Sequence, residues 1–168
     1  MQSWLLSLFL VLTVSNLAWA QVPACDTPSG PIGVNNGQVL NWKQTTQNEY
    51  RSRGHIQGTL VKIFPDVTGH HHFSVQIGSQ PTDLIEVIYN EDFGGVPPVQ
   101  EGSQIEACGD YITATQDSGG YPPSPDGAIL HWVHMSPDLA RHPSGFLIID
   151  GVLCGQNAES AGPKHGGR

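Results

Sequence analysis

Phe73, Val75 and Ile77 alternate with Ser74 and Gln76, and that period of two constrains the fold more than any other feature. Only an extended strand puts these three apolar side chains on one face and the polar ones on the other. Similar short runs recur at 84–89, 104–113, 128–134 and 145–154, separated by clusters of Gly, Pro, Asp and Asn that read as turns. In the last run, Asp150-Gly151 lies between Phe146-Leu147-Ile148-Ile149 and Val152-Leu153, the pattern of a tight hairpin. Five or six short strands in about 100 residues predict an all-β domain closed, or nearly closed, into a small barrel, because closure removes exposed sheet edges. An open sandwich is the alternative. The 20 glycines and 13 prolines among 168 residues suit many turns and fall short of a disordered composition.

Before the strands, the sequence predicts one short helix over 38–50, with Val39, Trp42 and Thr46 on one face. Residues 21–37, with Pro23, Pro28 and Pro31, read as an extended leader. The apolar stretch from Trp4 to Ala18 ends in Ala18-Trp19-Ala20, the small-x-small pattern of a signal-peptide cleavage site. The expected organisation is a signal peptide over 1–20, a leader and short helix over 21–53, a β-barrel domain over 54–155 and a disordered tail over 156–168. That places the chain in the periplasm or outside the cell, with no membrane span once the signal peptide is removed.

Export gives the cysteines a redox context. Cys25, Cys108 and Cys154 all follow the cleavage site, so one disulfide and one spare thiol are expected. The favoured pair is Cys108 with Cys154, since both sit in strand-like runs; Cys25 with Cys154 is the alternative.

A net charge of −8 disfavours phosphate-backbone binding, so nucleic acid is an unlikely partner. No Gly-rich phosphate loop and no Gly-x-Ser-x-Gly elbow is present, which argues against nucleotide cofactors and covalent acyl transfer. Eight histidines are the informative residues, because imidazole is the commonest metal ligand. His70, His71 and His72 follow the turn segment Pro65-Asp66-Val67-Thr68-Gly69, His131 and His134 bracket Trp132-Val133, and His142 precedes the last hairpin. The candidate site joins His70 or His72, His131 or His134, and His142, with Asp66 or Asp92 as an oxygen donor, around zinc or a similar divalent ion. In one regular strand His131 and His134 would face opposite ways, so both reach one site only if the strand ends near Val133. Glu91-Asp92 and Asp66 also offer a carboxylate beside a histidine for general-base work on water. Trp132, Tyr89, Tyr111 and Phe146 offer a stacking platform or, alternatively, core.

An ordered series of motifs carries a resemblance. It comprises Gly58-Thr59-Leu60-Val61, Phe64-Pro65-Asp66, Gly69-His70 with Phe73, Tyr89-Asn90-Glu91-Asp92, and Glu101-Gly102 leading to Cys108-Gly109-Asp110-Tyr111. It ends in His131-Trp132-Val133-His134, Pro137, His142 and Gly145-Phe146. Over roughly residues 54–155 this resembles a small exported bacterial family of unknown function whose signature is H-W-x-H, P, then H-x-x-G followed by Trp or Phe. The resemblance implies an OB-like (oligonucleotide/oligosaccharide-binding) barrel with no established activity. Three departures stand out: Tyr89 where a histidine is usual, Ser136 where an aspartate precedes the proline, and the added cysteines. His70, His131, His134 and His142 match, which makes them the expected metal ligands, with Asn90, Asp92 and Trp132 as expected ligand-binding residues. The resulting expectation is a binding module for a metal ion or a small ligand; the alternatives are a metal-assisted hydrolase and a structural envelope protein.

Overall fold

The computed structural model describes residues 22–157; the predicted signal peptide and the tail beyond Asn157 lie outside them. Two short strands, β1 (Cys25–Thr27) and β2 (Gly30–Ile32), form a hairpin. One helix, α1 (Asn36–Thr45), follows. Then come β3 (Arg51–Val67), β4 (His70–Gln76), β5 (Leu84–Asn90), β6 (Gln104–Thr113), β7 (Ala128–His131), β8 (Phe146–Ile149) and β9 (Val152–Cys154), with a single 3-10 turn at Glu91–Phe93. The fold is mostly β, as the alternation predicts.

Strands β3 to β9 make one mixed seven-stranded sheet in the order β3-β4-β5-β7-β6-β8-β9. An additional pairing of β3 with β6 joins β3, β4, β5, β7 and β6 into a ring of hydrogen-bonded strands. The 17-residue β3 makes this possible. Its first half, Arg51 to Thr59, pairs with β6, and its second half, from Thr59 on, pairs with β4. At the changeover Gly58 passes so close to β4 that a Cβ there would lie 2.2 Å from the Gln76 carbonyl oxygen, so only glycine fits. Every ring contact is antiparallel except β5 with β7, which is parallel and two residue pairs long.

The apolar half of each alternating run fills the ring: Ile56, Leu60, Phe73, Val75, Val87, Tyr89, Ile105, Tyr111 and Leu130 are fully buried. Helix α1 adds Val39 to this core and sets Trp42 against Tyr111, ring centroids 5.3 Å apart. The Asp150-Gly151 hairpin forms as expected, with Ile149 opposite Val152 and both turn residues at positive φ (48° and 83°), the backbone of a two-residue primed turn.

Several expectations need correction. The helix begins and ends earlier than 38–50, because Thr46 adopts an extended backbone. The leader is not simply extended, since its Cys25–Ile32 stretch folds back on itself. The disulfide joins Cys25 to Cys108, leaving Cys154 as a buried free thiol. Neither pairing with Cys154 occurs: Cys108 packs with Cys25, Phe146 and Ile148 in one small cluster, whereas Cys154 belongs to the main core. Of the expected tail, Gln156 is held by the Gly145 and Cys154 carbonyls, and Asn157 donates its N–H to the Phe93 carbonyl. Strand β7 stops at His131 rather than at 134.

Candidate functional site

The early end of β7 builds the site. Trp132 takes a left-handed backbone, φ 57°, which L-residues adopt at a cost and which breaks the strand. The chain then turns over β6 and β8, where glycines let it approach. A Cβ at Gly109 would lie 2.3 Å from the His131 carbonyl oxygen, and one at Gly145 would lie 2.2 Å from that of Trp132. The Gly145 N–H donates to the His134 carbonyl (2.7 Å), and the Met135 N–H donates to that of Gly155 (2.6 Å). Released from strand alternation, His131 and His134 lie on the same side of the molecule.

Four of the predicted residues and Trp132 form one group of rings. His70 lies 6.1 Å from His131, centroid to centroid. Trp132 lies 5.6 Å from His131 and 5.3 Å from His134, both tilted, and stacks on His142 at 4.2 Å and 13°. His134 stacks in turn on Phe93 at 3.6 Å. His70 comes from the start of β4 and His131 from the end of β7; β5 runs between them, with His70 opposite Asn90.

Hydrogen bonds settle the tautomers. The Nδ1–H of His70 donates to the Thr68 carbonyl (3.1 Å), that of His134 to the Met135 carbonyl (2.9 Å), and that of His142 to the Asp110 carboxylate (3.3 Å). An oxygen without a proton can only accept, so in each ring Nδ1 carries a hydrogen, and in the neutral form Nε2 keeps its lone pair. His72 is fixed the same way by buried Glu86, 2.7 Å from its Nδ1; Glu86 is held from its other oxygen by Ser124, at 2.6 Å. Burial first, then the neighbouring His70 and His134, pushes the His131 pKa down to about 4. Burial also lowers that of His134, with His70 and His142 adding to the effect against its hydrogen bond to Met135. Neutral imidazoles with oxygen-anchored Nδ1–H groups are the state in which histidine binds metals.

Asp110 is itself positioned. It accepts from Arg53 Nη1 at 2.7 Å, while Arg53 Nη2 donates to the Ser144 carbonyl. Asn90 turns its side-chain oxygen to the Asp92 N–H (2.9 Å), capping the 3-10 turn; Asp92 is exposed at the start of that turn. Asn90 therefore lies opposite His70 and shapes a turn.

A second grouping, not expected from the sequence, involves His71. Its ring projects to the other side of β4 and lies near-parallel to Tyr89 (6.3 Å) and Phe73 (5.8 Å). Its Nδ1 is 3.1 Å from Asp66 Oδ1 and its Nε2 is 2.9 Å from Glu91 Oε1. One donor atom from each of the three residues lies within 4.8 Å of the others, the one such three-residue set among the described residues. None of the four predicted histidines belongs to it. The available signal was alternation, which places His71 on the side of Phe73 and Val75.

No family model, no curated protein and no solved structure matches the chain. No helix among the described residues is long and apolar enough to cross a membrane, and a disulfide fits an oxidising compartment.

Proposed function

We propose that this chain is an exported, OB-like β-barrel module that binds a divalent transition-metal ion such as zinc through His70, His131 and His134. In this reading Trp132 and His142 wall the site. The strand ring β3-β4-β5-β7-β6, closed by a parallel pair, supports the OB-like description. In that architecture the face of the second and third strands is the customary ligand surface; here those strands are β4 and β5, the ones beside the histidines.

One observation carries the metal reading. His70, His134 and His142 each give Nδ1–H to an oxygen, which in the neutral rings leaves Nε2 free to ligate, near His131, an imidazole held neutral down to about pH 4. No three of these donor atoms lie within 4.8 Å of one another, so an ion would have to draw the rings together. Two imidazoles on one tetrahedral ion, with metal–nitrogen bonds of about 2.0–2.1 Å, have ring centroids about 5.3 Å apart. The 6.1 Å between His70 and His131 is within about an ångström of that.

The test is calorimetric titration of the untagged protein with Zn2+, paired with Cu2+ quenching of Trp132 fluorescence. One equivalent should bind, and His131→Ala and His134→Ala should each weaken it by about 10-fold or more, the scale on which even supporting groups act. Absence of binding, or binding indifferent to both substitutions, would leave the histidines as packing residues and sink the proposal.

A further inference from the structure

Glu91 Oε1 and His71 Nε2 are 2.9 Å apart, and Asp66 Oδ1 approaches the same ring from its other nitrogen at 3.1 Å. A neutral imidazole has one N–H. When Nδ1 gives it to Asp66, Nε2 and the Glu91 oxygen are two lone pairs in contact, an arrangement that requires a cation between them. A proton meets that requirement by making imidazolium. A metal ion meets it as well: cis ligands of an octahedral ion with bonds of about 2.1 Å are about 3.0 Å apart, close to the spacing seen.

We propose that Asp66, His71 and Glu91 form a second divalent-cation site, for an oxygen-favouring ion such as Mn2+, independent of the imidazole cluster. His71 Nε2 and Glu91 supply ligands. Asp66 holds Nδ1–H, the carboxylate–histidine–metal arrangement that orients a ligating ring.

The three groups come from three elements, which fixes their relative positions. Asp66 ends β3, His71 lies in β4, and Glu91 opens the 3-10 turn, whose Glu91 N–H donates to the Gly69 carbonyl (3.0 Å) and ties the turn to the β3–β4 hairpin. Phe73 and Tyr89 lock the plane of the His71 ring. Both carboxylates are about half exposed, 51% for Asp66 and 47% for Glu91, while the His71 side chain is 18% exposed. The ion would therefore sit on a rigid imidazole with its remaining positions open to water, as hard octahedral ions prefer. One carboxylate, one nitrogen and water suit Mn2+ better than an all-imidazole set does, because Mn2+ stands at the weak end of the divalent series for nitrogen donors.

The experiment follows loss of the free Mn2+ electron paramagnetic resonance signal as untagged protein is added. One Mn2+ should bind. Glu91→Gln and Asp66→Asn, isosteric changes at exposed positions, should each weaken binding about 10-fold or more, with unchanged circular dichroism confirming the fold. His131→Ala should leave Mn2+ affinity unaltered while weakening Zn2+ binding about 10-fold or more, so the two sites stand or fall separately. Mn2+ left free at millimolar concentration would overturn the proposal, as would loss of binding in His131→Ala with Glu91→Gln unaffected; the trio would then be an ion pair.

Discussion

His131 illustrates how a residue can be chemically prepared by burial. Its folded pKa lies near 4, against 6.5 for the ordinary side chain. Between those values the unfolded chain takes up a proton that the folded chain refuses, so stability falls as pH drops through this window and levels off below it. Above about pH 6.5 both forms are neutral and the term vanishes. The shift corresponds to as much as about 3 kcal/mol. Urea unfolding at about pH 7 and about pH 4.5 should show wild type losing some 2–3 kcal/mol more than His131→Gln across that interval. Equal losses would show that burial of this imidazole does not govern acid stability. Residue type and placement made His70 or His72, His131 or His134, and His142 candidates, and the family resemblance narrowed them to His70, His131, His134 and His142. His71 is not, because its two carboxylates come from segments five residues before and twenty after it, and only the register of β3, β4 and β5 brings them together.

At the scale of elements, apolar periodicity made β4, β5 and β6 readable, and the Asp150-Gly151 turn did so for the last hairpin, whose strand β8 is buried at all four residues. The end of β7 was less readable. The run Ile129-Leu130-His131-Trp132-Val133 continues the strand pattern on paper, and a tertiary fit, not local propensity, places Trp132 at positive φ. That fit depends on glycines whose backbone touches the turning segment. Gly109→Ala, which sets a Cβ against the His131 carbonyl and 2.8 Å from Val133 Cγ1, should cost about 2–3 kcal/mol by overpacking. Gly151→Ala, with open space around it but φ 83°, should cost only about 1 kcal/mol. Chemical denaturation of the two variants decides the order; a harmless Gly109→Ala would mean that the 132–134 segment can lift away from β6. The leader hairpin escaped sequence reading for a related reason: Pro28 and Pro31 look like an extended tract until a two-residue turn sets Thr27 opposite Gly30.

For the molecule as a whole, the Cys25–Cys108 disulfide spans 83 residues and joins the leader hairpin to the ring. A cross-link over that much chain restricts the unfolded ensemble by about 4.5 kcal/mol in the loop-entropy picture. The double variant Cys25→Ser/Cys108→Ser should therefore lose about 2–4 kcal/mol, read as a lower urea midpoint; an unchanged midpoint would mean that the hairpin is held by packing alone. His55 supplies such a second attachment, with its ring nitrogens 3.2 Å from the Ile32 carbonyl and 2.9 Å from Glu106 Oε1.

The parallel pairing of β5 with β7 spans two residue pairs, yet it is the seam that turns a curved sheet into a ring. Strand β7 must slot between β5 and β6, which precede it in the chain, and it delivers His131 as it does so. The histidine group is thus a product of ring closure. A chain that has formed its hairpins but not yet seated these four residues has all four histidines and no cluster. The keystone of the architecture and the strand that carries His131 into the ring cluster are the same four residues.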